Sequence, residues 1–136
     1  MKTAIRYYSR GGNTEKLAKA ISTVVDRPAL TVAESLTEDV DILFLGSRMY
    51  AGGIDGHIKD FVNNINVKVG KIVSFSTTRA AKSTYKQIEK LTSAKNIPLA
   101  SEEFSCKGSF ALMHRGKPDR ADCLAVAEFA KKIITE

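Results

Sequence analysis

The stretch Val40-Asp41-Ile42-Leu43-Phe44-Leu45-Gly46 constrains this chain most. It is apolar at nearly every position and lacks the in–out alternation of a strand with one face in water. A short run of this kind suits a strand covered on both faces, as in a parallel sheet held between helix layers. Its neighbours agree. Ala4-Ile5-Arg6-Tyr7-Tyr8 is another run of β-formers, stopped by the turn residues Ser9-Arg10-Gly11-Gly12. From Thr14 the period changes, and Leu17, Ile21, Val24 and Val25 fall on one face of a helix. Asp26-Arg27-Pro28 ends that helix, because the residue before a proline is pushed out of helical geometry.

The alternation continues along the chain. A short strand is expected from Ala29 to Val32. A loop containing Gly52, Gly53 and Gly56 follows the central run, and then Ile58, Phe61, Val62 and Ile65 repeat the helical stripe. Lys71 to Ser76 reads as a strand, and Tyr85, Ile88 and Leu91 as a helix that stops at Asn96-Ile97-Pro98. Leu99 to Cys106 reads as the last strand. The last helix is expected from about Asp119, with Val126, Phe129, Ala130 and Ile133 on its buried face. Strand and helix thus alternate about five times in 136 residues, with no internal repeat and no linker. This spacing implies parallel strands joined by right-handed crossovers, with helices on both faces. The expectation is one doubly wound α/β domain over residues 1–136.

Composition closes off other classes. With 43% hydrophobic and 26% charged residues the chain is neither disordered nor low-complexity. Ile42 to Leu45 is far shorter than the roughly 18 apolar residues of a membrane helix. Lys2 leads straight into a strand with no secretory h-region, so a cytoplasmic location without membrane insertion is expected. Cys106 and Cys123 match neither a redox pair nor a metal knuckle and are expected as buried thiols. His57 and His114 stand apart from other ligand types, which predicts surface or capping roles and no metal site. The net charge of +6 favours acidic ligands. Because the Lys and Arg residues are scattered, a solvated basic surface is expected rather than a nucleic-acid partner.

In doubly wound sheets ligands bind outside the carboxyl ends of the strands, where strand order reverses. That points to three loops. The first is Ser9-Arg10-Gly11-Gly12-Asn13-Thr14. Its two glycines let successive N–H groups point into one concavity. The following helix adds its dipole, and Ser9, Asn13 and Thr14 add side-chain donors, which together make a phosphate cradle. No Lys-Ser or Lys-Thr follows the glycines, so it is not a P-loop, and two adjacent glycines do not make the dinucleotide fingerprint. No Asp stands beyond the third strand, which excludes a receiver domain, and the absence of Cys excludes a low-molecular-weight phosphatase loop. The competing reading is a plain strand-to-helix turn capped by Asn13 or Thr14.

Tyr7-Tyr8-Ser9-Arg10-Gly11-Gly12-Asn13-Thr14-Glu15-Lys16 resembles the opening phosphate loop of the short-chain flavodoxins, and Asp41 to Ser47 resembles their third strand. The likeness of element order covers nearly the whole chain. It implies a flavodoxin-like five-stranded parallel sheet of order 2-1-3-4-5. It also implies flavin mononucleotide (FMN) as cofactor, with Ser9 and Thr14 donating hydroxyls to the phosphate and backbone N–H groups from Arg10 to Thr14 completing the cradle. In that family the second loop, here Ser47-Arg48-Met49-Tyr50-Ala51-Gly52-Gly53, lies against the flavin ring. Tyr50 is then the stacking candidate, and Gly52 and Gly53 allow the peptide to turn. Otherwise Met49 and Tyr50 cap the core edge. The third loop begins Thr77-Thr78-Arg79, where the threonines would meet the pyrimidine edge of the ring and Arg79 would bring charge. A solvated basic loop is the equal alternative there.

The chain departs from its relatives in having no second aromatic in the third loop, no acidic residues expected near the ring, and an arginine in each loop. Arg10, Arg48 and Arg79 would favour the anionic reduced flavin and so two-electron chemistry. The expected function is electron transfer through non-covalently bound FMN to a partner protein or a small-molecule acceptor, with no catalytic side chain. Two alternatives stand. Gly46 to Gly52 also resembles the loop of flavodoxin-like protoporphyrinogen oxidases and related FMN-dependent reductases, quinone reductases included. Their substrate would lie under the long Lys107–Pro118 connection, with Phe110, Met113, His114 and Arg115 as cover. The other alternative is a phosphate-ligand or nucleic-acid module without flavin.

Overall fold

A computed structural model describes residues 1–50, 53–78, 83–108 and 116–136. The central apolar run forms the core of β3 (Val40–Tyr50). It is flanked on one side by β1 (Thr3–Tyr7) and on the other by β5 (Val69–Thr78), both parallel to it. β2 (Ala29–Thr31) and β6 (Leu99–Lys107) are the edges, giving the order β2-β1-β3-β5-β6. This is the expected doubly wound order with one addition. A two-residue strand, β4 (Gly53–Ile54), pairs antiparallel with the end of β3.

Successive β3 side chains go to opposite faces. Ile42 and Phe44 pack with Leu17 and Ile21 of α1 (Asn13–Val25) and with Val126, Ala130 and Ile133 of α4 (Arg120–Thr135). Leu43 and Leu45 pack with Ile58, Phe61 and Val62 of α2 (Gly56–Asn63) and Ile88 of α3 (Tyr85–Ala94). The continuous hydrophobicity of the run is therefore the sum of two alternating faces, each covered by a helix pair. None of the helices among the described residues is long and apolar enough to cross a membrane.

The structure extends the expected elements at the carboxyl end of the sheet. Ser47 to Tyr50, expected in a loop, continue β3, because β5 pairs with it as far as Arg48↔Thr77 and β4 pairs with Met49 and Tyr50. Thr77 and Thr78 likewise belong to β5. The return from β2 to β3 crosses β1 without a helix. Residues 32–39 make the crossing, and Val32 and Leu36 pack against the core in a helix's place. So short a crossover works because β1 is only five residues long. The two cysteines, expected as buried, are half-buried and free. Burial pushes the Cys106 thiol up to about 12, which keeps it neutral.

Gly46 lets α1 approach the sheet closely. A Cβ there would fall 2.4 Å from Cζ of Phe75 and 2.9 Å from the Thr14 methyl. Both neighbours are fully or almost fully buried and cannot retreat. Gly46→Ala is therefore expected to destabilise the fold by about 1–3 kcal/mol through overpacking. Urea unfolding followed by far-UV circular dichroism would measure this, and an unchanged midpoint would refute the packing argument.

Candidate functional site

The ends of β1, β3 and β5 bring the first, second and third loops together, and buried hydroxyls join them. Thr14 Oγ1 lies 3.0 Å from Thr77 Oγ1 and 3.3 Å from the Ser47 carbonyl, to which it donates. Ser47 Oγ turns to the other face of the sheet and meets Thr84 Oγ1 at 2.7 Å. All four residues are at most 1% exposed. The Thr14 hydroxyl, expected as a phosphate donor, is thus engaged inside the fold, as is that of Ser47. Being neutral, these groups can be buried cheaply as long as each bond is made.

Above this seam the first loop keeps backbone donors. Gly12 occupies the N-cap position of α1 with φ 86°, a left-handed conformation that suits glycine. Its N–H donates to Ser9 Oγ at 2.9 Å, leaving the Ser9 hydroxyl proton for another acceptor. Among the described residues, no side chain caps α1. By contrast, Asp55 caps α2 and Asp119 forms a capping box on α4. The first-turn N–H groups of α1, which a helix cannot satisfy internally, face the loop together with the positive end of its dipole. Among the described residues, nothing lies within 4 Å of where a Cβ would stand on Gly11 or Gly12.

The arginines are placed differently from expectation. Arg10, from the first loop, reaches over to the second: its guanidinium lies 4.4 Å above the Tyr50 ring, and Nη2 donates to Asp55 Oδ2 at 2.9 Å. Arg48, from the second loop, turns toward the first. It is buried, and its Nη1 lies 3.1 Å from the point where a Gly108 Cβ would stand; Asn13 Nδ2 lies 2.9 Å from the same point. The alternation of β3 dictates this, since Arg48 shares a face with Ile42, Phe44 and Gly46.

Near Tyr50 the structure also reveals an acidic group, where none was expected. Asp55 is a buried carboxylate that accepts from the His57 N–H at 2.8 Å and from His57 Nδ1 at 2.5 Å, as well as from Arg10. Burial pushes its pKa up, but the hydrogen bonds from His57 and Arg10 outweigh this and hold it below the usual carboxylate range. The His57 ring stacks on Tyr8, 4.4 Å between centroids and 9° from parallel. Tyr50 Oη is buried with no hydrogen-bond partner among the described residues. Burial raises the Tyr50 pKa against the pull of Arg10 and Arg48. The expectation of unopposed positive charge at the ring loop is therefore corrected, because Arg10 is paired with Asp55.

Ser9, Arg10, Gly11, Gly12, Asn13, Thr14, Ser47, Arg48, Thr77 and Thr78 thus converge on one end of the sheet, with Met49, Tyr50 and Gly53 in the adjoining hairpin. Ala51, Gly52 and Arg79 lie outside the described residues, as do Phe110, Met113, His114 and Arg115. Sequence reasoning missed Asp55, Tyr8 and Thr84. The order Asp55-Gly56-His57 before an apolar stripe is a legible N-cap signal. Nothing local announced that Arg10 would also find Asp55.

Residues 4–130 match the family model described as a flavodoxin domain. Among solved structures, a flavodoxin from the domain Archaea superposes with a TM-score of 0.77 at 13% identity, covering 99% of this chain and 97% of that one. Oxidised flavodoxin 2 from Bacillus cereus gives 0.74 at 20% identity, covering 99% of both chains. Two-electron reduced Megasphaera elsdenii flavodoxin gives 0.67 at 17%, covering 96% and 98%. No curated protein matches.

The Asp55 cluster generates a prediction with a sign. Its folded pKa is depressed, so its stabilisation is complete at neutral pH. It begins to fade as pH drops below about 4, where the unfolded carboxyl takes up a proton, and is lost below the folded pKa. Asp55→Asn keeps a cap acceptor but removes the charge, and should flatten the acid limb of stability against pH. Asp55→Ala should cost about 0.5–2 kcal/mol more through the lost cap. Thermal melts from pH 7 to 3 would check both, and an Asp55→Asn profile parallel to that of the wild type would refute the charge pairing.

Proposed function

The chain belongs to the flavodoxin domain family, and from that membership we propose that it binds FMN non-covalently and passes electrons through it. The observation that carries this reading is the uncapped N-terminus of α1, set at the carboxyl ends of the central strands beside the aromatic and charged cluster of the second loop. The residues present fit the group. Gly11 and Gly12 leave the approach to the N–H groups open, which a phosphate requires. Tyr50 offers a ring and a buried hydroxyl without a partner at the other end.

The flavin supplies the redox chemistry, and the protein supplies binding, orientation and electrostatics. Ser9 and the N–H groups of Gly11, Asn13 and Thr14 would hold the phosphate. The Thr14–Thr77–Ser47 hydrogen bonds fix the distance between the phosphate loop and the ring loop. Arg10 lies along the Tyr50 ring and is anchored by Asp55, so the aromatic surface is held in place before a planar ligand arrives. The Arg10–Asp55 pair carries no net charge, so the ring end is not biased by Arg10 toward an anionic ligand. No side chain is required as nucleophile. Electron exchange would be with a redox partner protein or a small-molecule acceptor that reaches the exposed edge of this end of the sheet.

Purified protein mixed with FMN and passed over a desalting column is expected to retain one equivalent of flavin with its visible bands, and to quench its fluorescence. Tyr50→Ala should restore part of that fluorescence and lose about 0.5–1.5 kcal/mol of affinity beyond burial. Failure of the wild-type chain to retain flavin would overturn the function, whereas unchanged quenching in Tyr50→Ala would remove only Tyr50 from the ring site.

A further inference from the structure

We infer that the carboxyl end of the sheet is a docking face for an acidic redox protein, whose carboxylates meet a set of exposed cations there. The inference rests on the FMN reading above and names the partner that would cover this end. The charge of the chain is unevenly placed. The segments that leave β1, β3, β5 and β6, each taken into the start of the following helix, are 8–16, 48–59, 79–86 and 107–123. Together they hold eleven Lys and Arg residues against four Asp and Glu. The rest of the chain holds ten against eleven, so all of the net charge of +6 belongs, by position in the sequence, to this end.

The four carboxylates are engaged within the fold. Asp55 accepts from Arg10 and His57, and Glu15 accepts from the Tyr7 hydroxyl. Asp119 and Asp122 cap α4 and share Lys117. By contrast, Lys16, Lys86, Lys107 and Arg120 are exposed and form no ion pair among the described residues. They stand around the end rather than at its centre. Lys16 and Arg120 belong to the helices of one face, Lys86 to α3 on the other, and Lys107 ends the edge strand β6. Cations so dispersed do not converge on one phosphate, but they match a broad anionic surface. Nor do they serve their own helices. Lys16, Lys86 and Arg120 lie in the opening residues, toward the positive end of the dipole, whereas the last turns of α1 and α3 hold no cation. Leu124, on the same face of α4 as Arg120, is 58% exposed and supplies an apolar contact beside the charge. An anionic membrane would call for a wider apolar face. Among the described residues the other large exposed apolar side chain is Met1, ahead of β1 at the opposite end.

The test titrates the full-length, flavin-free protein with an acidic plant-type ferredoxin by isothermal titration calorimetry. Binding is expected, and added salt should weaken it. A Lys86→Gln/Arg120→Gln double variant should bind about tenfold more weakly, and Leu124→Ser, which leaves every charge in place, several-fold more weakly. A Lys68→Gln/Lys95→Gln variant removes as much charge from the amino end of the sheet and should lose less than about twofold. Because Lys86 and Arg120 oppose their own helix dipoles, their variant is expected to melt no lower than the wild type, which separates lost docking from lost folding. Equal losses in the two double variants would reduce the effect to net charge and overturn the inference. So would a wild type that ignores the ferredoxin, or one that binds phosphatidylserine vesicles in its place. FMN retention on a desalting column is scored separately. A chain that retains FMN without docking overturns this inference alone, whereas one that retains none overturns the proposed function and with it the redox role of the partner.

Discussion

The arrangement of the ligand end hangs on one buried chain of hydroxyls, Thr77–Thr14–Ser47–Thr84. It passes from one face of the sheet to the other through the Ser47 residue, whose carbonyl serves α1 and whose side chain serves α3. Two strand ends, of β3 and β5, and two helix starts, of α1 and α3, are thereby held at fixed separations without any charge being buried. Each such bond contributes about 1 kcal/mol net, but an orphaned partner costs about 1–3 kcal/mol. The seam therefore acts less as a reservoir of stability than as a penalty on every arrangement in which the loops drift apart. The Gly46 contact supports it from below, because α1 could not bring Thr14 to the sheet over a side chain at that position.

Charge is distributed over this frame in a crossed manner. The arginine of the first loop reaches across to Tyr50 and Asp55 in the second, and the arginine of the second loop turns back toward Asn13 and Gly108. Asp55 explains half of the exchange by drawing Arg10 across. Strand alternation explains the other half, since a residue at an even position of β3 has to face α1. A count of arginines per loop therefore misstates the field at each end. What matters is the face from which each side chain departs and the carboxylate that receives it.

Much of the fold was legible because periodicity reports burial directly. The start of β3 at Val40, the Leu17–Val25 stripe and the start of α4 at Asp119 all follow from residue spacing and capping chemistry, and the structure agrees with them to within a residue or so. The expectations that failed depend on partners distant in sequence. Ser47 to Tyr50 read as a loop because serine, arginine and glycines break the apolar run; they are strand because β5 and β4 offer hydrogen bonds. The Thr14 hydroxyl, read as a ligand donor from its place at a helix start, donates to the Ser47 carbonyl and lies 3.0 Å from Thr77 Oγ1, partners 33 and 63 residues away. Helical and strand periods are local properties, whereas hydroxyl and carboxylate partners are set only once the strands have been ordered.

The helix-free crossing between β2 and β3 gives the two sides of the sheet unequal resistance to opening. β2 is three residues long and, among the described residues, has no strand beyond it. On one face its cover is residues 32–39, which contribute Val32 and Leu36 to the core in place of a helical turn. Little apolar surface need be exposed to detach that margin, so its amides should exchange with solvent through small local openings. The amides of β3 and β5, sealed by helices on both faces, have to wait for global unfolding. The fold thus concentrates its fraying at the β2 margin, and breathing there can proceed while the hydroxyl seam stays shut.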